Sequence, residues 1–184
     1  ASFSDHKSPV TTVAFSPKKN LVASSELAGK AVIRTLEDQR KPIFLEGNSA
    51  RFDNIDFSPD GTRVLTSGPG APPALWDCAD GAFLHNLKVE LEAVVAARFA
   101  RDGQGVSVAC RSGRILFCET STGIAYNKIT LPGRELADLQ YSPEGNRMLV
   151  VTQEGLCSIR SVPQAEAIRI VEKDGSLTSS PDYY

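Results

Sequence analysis

The sequence predicts an all-β chain made of four similar units in a row, each of four short strands. Three observations predict it: a motif that recurs at a fixed interval, apolar columns that align across its copies, and turn signals too close together for an ordinary helix. The motif reads Ala14-Phe15-Ser16-Pro17, then Asp56-Phe57-Ser58-Pro59-Asp60-Gly61, then Arg98-Phe99-Ala100-Arg101-Asp102-Gly103, then Gln140-Tyr141-Ser142-Pro143-Glu144-Gly145. Its aromatic residues fall at 15, 57, 99 and 141, each 42 residues after the last.

Each unit opens on a strand that ends at the aromatic residue. Apolar columns precede it: Val10, Phe52, Val94 and Leu136, then Val13, Ile55, Ala97 and Leu139. The turn that follows has a mechanism, because Pro fixes φ, Asp bonds its own backbone and Gly accepts positive φ. The second strand carries Val22, Val64, Val106 and Met148, and it turns at Gly29, Gly113 and Gly155, where the second unit has Ala71 instead. The third strand carries Ile33, Leu75, Phe117 and Ile159. Asp80-Gly81 and Thr122-Gly123 then turn the chain into a fourth strand, with Leu45, Leu87, Ile129 and Val171 in one column. In the second unit the strands are expected at about 52–57, 63–67, 73–78 and 83–88. The units span about 10–47, 52–89, 94–131 and 136–173. Residues 174–184 are read as the first strand of a fifth, because Tyr183 stands 42 residues after Tyr141.

Composition narrows the function. The 184 residues hold 20 Lys and Arg against 22 Asp and Glu, and a net charge of −2 argues against a dedicated nucleic-acid binder. An apolar share of 41% and a charged share of 23% suit a folded chain with its own core. No run approaches the roughly 20 apolar residues of a membrane span, and the first residues lack a signal-peptide pattern. The chain begins without Met and is read as trimmed or as a piece of a longer one. Cys78, Cys110, Cys118 and Cys157 form no CxxC pair, and His6 and His85 complete no zinc set. They are read as reduced, packed thiols of a cytoplasmic protein, with no metal and no cofactor.

These repeats resemble the WD-repeat family of β-propellers, whose blades have about this period and four strands each. The family's Trp-Asp pair falls on Trp76-Asp77, and its Gly-His pair on Asp5-His6. The resemblance covers about nine tenths of the chain. It implies β-propeller blades of four antiparallel strands, about four of them, forming part of a larger or two-chain ring. In the family, His, Trp and a second-turn Asp form a buried network. Here the second-turn column reads Ala28, Gly70, Ser112 and Glu154, so no unit has the whole set. The expectation is blades held by apolar packing and turns, with His6, Trp76 and Asp77 in structural roles.

No catalytic constellation is legible, and the chain is not expected to be an enzyme. His6 has no orienting partner for acid–base work, and Ser24, Ser25, Thr66 and Ser107 have no GxSxG elbow around them. The run Gly68-Pro69-Gly70-Ala71-Pro72-Pro73 lacks the Lys-Ser/Thr end of a phosphate loop. Asp60, Asp102 and Glu144 share a turn column, which is repetition rather than a catalytic pair. His85 is expected to be exposed on an outer strand.

What remains is surface. The resemblance implies one ring face built from the loops joining fourth to first strands and second to third strands. Those loops hold Arg51, Lys88, Glu90, Glu92, Arg134 and Glu135, together with Glu26, Lys30, Arg111, Arg114 and Glu154. Arg51, Arg111, Arg114 and Arg134 are the candidate partner-binding residues, suited to an acidic protein. The leading expectation is a non-catalytic scaffold for protein–protein interaction, its partners other proteins, further blades of the same protein, or a second chain. No membrane partner is expected. Two alternatives stay open: an RNA-associated propeller of a ribonucleoprotein, and a ligand-binding or enzymatic propeller using its central channel. The innermost strands there offer Thr11, Thr12, Asn54, Asp56, Arg98, Asp138 and Gln140.

Overall fold

A computed structural model describes residues 4–36, 41–46, 51–90 and 92–163. All of its regular structure is β. The strands are β1 (Val10–Phe15), β2 (Leu21–Glu26), β3 (Ala31–Thr35), β4 (Ile43–Leu45), β5 (Asn54–Phe57), β6 (Arg63–Gly68), β7 (Ala71–Asp77), β8 (Phe83–Asn86), β9 (Val94–Phe99), β10 (Gly105–Cys110), β11 (Arg114–Glu119), β12 (Ala125–Thr130), β13 (Leu136–Tyr141), β14 (Arg147–Thr152) and β15 (Cys157–Ser161). They form antiparallel sheets in simple chain order: β1–β4, β5–β8, β9–β12 and β13–β15. Each sheet is one blade of a propeller. The fourth strand expected for the last blade, the column residue Val171 and the segment 174–184 lie outside the described residues.

Why the sheets stack follows from their faces. A blade with apolar residues on both faces cannot cover them alone, so the next blade must. Innermost strands β1, β5, β9 and β13 pack in succession. Three apolar clusters fill the gaps between successive blades. The first joins Ala23, Ile33 and Leu45 to Phe52, Phe57 and Trp76. The second joins Leu65, Leu75 and Leu87 to Ala97, Phe99 and Val106. The third joins Ala109, Ile115 and Phe117 to Leu136, Leu139 and Met148. Burial along the second strands reports the order: all six residues of β10 are buried, whereas β14 alternates between buried and exposed along most of its length. Middle blades are covered on two sides, the last on one.

The turns carry out their predicted chemistry. Asp60 accepts hydrogen bonds from the Ser58 hydroxyl at 2.6 Å and from the Thr62 amide at 2.9 Å. Those bonds hold its carboxyl down at about 2. The turn between second and third strands needs a left-handed residue, supplied by Gly29, Gly113 and Gly155 with φ of 87°, 90° and 84°. The second blade, with Ala71 in that column, moves the left-handed residue one place earlier, to Gly70 at φ 84°. The pairing of β6 with β7 slips between Thr66 and Gly68 to absorb the change. The third strand of that blade therefore starts at Ala71, two residues before the expected 73.

Candidate interaction rim

The turns between second and third strands lie against the connections that lead into the next blade. Backbone bonds fix this: Arg111 donates to the Ala93 carbonyl at 2.8 Å, and the Arg111 carbonyl accepts from Leu136 at 3.2 Å. Leu131 donates to the Gly113 carbonyl at 2.9 Å. Arg111, Arg114 and Arg134 thus share one edge of the third and fourth blades, and Arg51 stands on the connection into the second. Their electrostatic states differ. Arg114 is clamped by Glu90 at 2.5 Å and by Glu92, and its side chain is largely covered. Burial pushes the Glu92 carboxyl up, but the Ser112 hydroxyl at 2.7 Å and the Arg114 guanidinium outweigh it and hold the carboxyl low. Arg51 pairs with Asp53 at 2.5 Å. Arg111 and Arg134 are exposed, and among the described residues neither has a carboxylate within ion-pair distance. The Arg134 charge helps the Thr152 hydroxyl and backbone amides hold the Glu154 carboxyl below its usual range.

The innermost strands carry a polar girdle that crosses the blades. Asn54 donates to the Val95 carbonyl at 3.0 Å, and Arg98 reaches Asn54 Oδ1 and Asp138 Oδ1, each at 3.2 Å. Asp56 accepts the Phe99 amide at 2.9 Å. Burial pushes the Asp56 carboxyl up, against that amide and the Arg98 charge. These groups satisfy one another across blade boundaries. They act as interblade bonds.

The blades also hold two halves of a buried polar network. In the first blade His6 lies 2.7 Å from the Ser24 hydroxyl and 3.1 Å from Glu26 Oε2. Glu26 is buried and also accepts the Lys7 amide at 2.7 Å. Burial pushes its carboxyl up, but these bonds outweigh burial and hold it low. In the second blade Trp76 Nε1 donates to the Thr66 hydroxyl at 2.8 Å, both side chains fully buried. Asp77 accepts the Ala79 amide at 2.7 Å in the turn that follows. These polar bonds stand beside the apolar packing and turns of the first two blades. Ser24 and Thr66 occupy the same column of the second strand, where each accepts or shares a bond with the polar ring beside it.

The family model for the WD domain, G-beta repeat, matches residues 1–33, the stretch that contains His6 and Ser24. Over that stretch the chain is similar to a WD repeat. It is 23% identical over 183 residues to a WD repeat-containing protein WDS homolog of Arabidopsis thaliana, covering 95% of this chain and 34% of that protein. It is 25% identical over 118 residues to Echinoderm microtubule-associated protein-like 3 of Mus musculus, covering 64% of this chain and 13% of that protein. The chain therefore spans about a third of the first relative and about an eighth of the second.

Elsewhere in the blades, hydroxyl side chains serve packing. Ser25 and Thr11 both donate to the Phe52 carbonyl, at 2.9 and 2.8 Å, tying the first blade to the second. Burial pushes the thiols of Cys78, Cys110 and Cys118 up to about 12, which suppresses their thiolates, while Cys157 is exposed. Among the described residues no group of three or more His, Cys, Asp and Glu side chains is placed to hold a metal, and no helix is long and apolar enough to cross a membrane. His85, expected to be exposed, is half-buried, with Nε2 at 3.0 Å from the Thr120 carbonyl of the next blade. Its sequence neighbourhood carries no signal of that contact.

Proposed function

We propose that this WD-repeat chain is a non-catalytic scaffold, and that the rim of Arg111 and Arg134 takes an acidic segment of a partner protein. WD-repeat propellers generally serve protein interaction, and the mouse relative is named as microtubule-associated protein-like. The observation that carries the reading is the division among four arginines. Arg51 and Arg114 are each paired with carboxylates of the fold, whereas Arg111 and Arg134, on one edge held by backbone bonds, have no carboxylate within ion-pair distance among the described residues. Fork-shaped guanidinium groups on a rigid edge lose little freedom on meeting carboxylates.

Binding of a labelled Glu-rich peptide to the purified chain tests this, read by fluorescence anisotropy. Arg111→Glu with Arg134→Glu is expected to weaken it about tenfold or more, since two attractive contacts become repulsive. Unchanged binding removes the rim from the account. The same assay with single-stranded RNA separates the ribonucleoprotein alternative, where affinity falls steeply with salt.

A further inference from the structure

The two carboxylates on Arg114 hold it in different ways. Glu92 takes the side edge of the guanidinium, with Oε2 at 3.2 Å from Nε and Oε1 on Nη2. It also accepts the Ser112 hydroxyl at 2.7 Å, and its side chain is only 25% exposed. Glu92 is therefore built into the fold, tying the connection into the third blade to the turn between β10 and β11. Glu90 meets Nη2 at 2.5 Å, the nitrogen that Glu92 already uses, and its side chain is 77% exposed. The end edge of the fork, Nη1 with Nη2, carries only this one bond to Glu90. Nη1 itself has no hydrogen-bond partner among the described residues. A guanidinium end can give one carboxylate two parallel bonds, which is stronger and better oriented than one. An exposed pair joined by a single bond adds little to the fold.

We propose that Glu90 is an intramolecular stand-in for the acidic partner. It occupies Arg114 until a partner carboxylate takes both nitrogens of the end edge, which releases Glu90 to water and adds Arg114 to the rim. This deepens the reading of the rim as a site for an acidic protein segment, and rests on it. Position favours the exchange. Arg111 and Arg114 flank one tight turn, in which Gly113 donates to the Cys110 carbonyl at 3.1 Å. Gly113 in turn packs on the Arg134 carbonyl, which lies 2.6 Å from where its Cβ would stand. A segment that meets Arg111 and Arg134 therefore passes Arg114. Glu92 stays in place throughout, because Ser112 and the Nε bond hold it. Arg114 keeps two carboxylates before and after, so the exchange leaves no charge stranded in a covered site. The exchange also sets specificity. A lone carboxylate competes poorly with the tethered Glu90, whereas one on a segment already held by Arg111 and Arg134 competes at high effective concentration. Glu90 thus selects segments that carry several acidic residues.

Fluorescence anisotropy of the labelled Glu-rich peptide on the full chain tests it through a double-mutant cycle. Glu90→Gln is expected to raise the affinity about threefold to fivefold, the scale of an exposed ion pair. In an Arg114→Gln background the same change is expected to have no effect, since Glu90 then holds nothing back. Loss of a negative charge by itself would raise the affinity in both backgrounds. Equal gains therefore overturn the proposal, as does the absence of a gain in the wild-type background. Circular dichroism checks that each variant is folded. Should Arg114→Gln misfold, Arg114→Lys replaces it. Lysine keeps the charge but has no fork, so the gain is expected to shrink below about twofold. Failure of the rim reading looks different. If Arg111→Glu with Arg134→Glu leaves binding unchanged while Glu90→Gln still raises it, the Glu90 exchange stands and the two-arginine rim falls. If the double change weakens binding and Glu90→Gln does not raise it, the rim stands and the Glu90 exchange falls. A chain that binds the peptide neither as wild type nor as Glu90→Gln overturns both.

Discussion

Thr66 and Trp76 are both fully buried, and each supplies the other's hydrogen bond at 2.8 Å. Removing one partner leaves a buried indole N–H without an acceptor, which costs more than the bond itself contributes net. Thr66→Val, of nearly the same shape, is therefore expected to destabilise the chain by about 1–3 kcal/mol in urea unfolding. In a Trp76→Phe background the same change is expected to cost at least about 1 kcal/mol less, because no donor is stranded. Strict additivity of the two changes contradicts a stabilising bond. The residue types were legible in the sequence at this scale, since Trp76 was assigned a structural role. Its acceptor was not, because Thr66 reads as one more β-branched strand residue until the third strand is laid beside the second.

Gly113 and Gly155 separate two effects that share one turn. Both sit at positive φ, 90° and 84°, which an L side chain resists. A Cβ on Gly113 would also lie 2.4 Å from the Leu131 carbonyl oxygen and 2.6 Å from that of Arg134, whereas nothing lies within 4 Å of one on Gly155. Gly155→Ala is expected to cost about 1–2 kcal/mol, the left-handed penalty alone. Gly113→Ala is expected to cost more, and to displace the connection that carries Arg134. Thermal melts of the two variants compare the costs, and equal losses rule out the close approach as a constraint. The repeat column showed that this turn wants glycine. Only the packing of the next connection against it makes one member of the column less replaceable than another.

Stability across the arc is set by how many neighbours each blade has. Repeat architectures behave as a row of units coupled to their neighbours, so the ends open before the middle. Amide exchange is expected to be slowest in β6 and β10, which are buried almost throughout, and fastest in β1 and β15. Uniform protection from β1 to β15 contradicts coupling through blade contacts.

The sequence alone determined the all-β class, the number of strands in a unit and the register of its columns. Those features rest on local rules: alternation, turn residues and a period that any one copy repeats. It also marked Arg51, Arg111, Arg114 and Arg134 as a set, since charge and loop position are local properties. Which of the four lack a carboxylate within ion-pair distance, among the described residues, was decided only in three dimensions, because Glu90 and Glu92 reach Arg114 from 24 and 22 residues away. The same holds for Arg98, which links Asn54 to Asp138 across three blades. A column shows what one position prefers, but whether that position is covered depends on which blade stands beside it. Ile33 and Ile159 are the same residue in the same column, one sealed and one open, and only the stacking tells them apart.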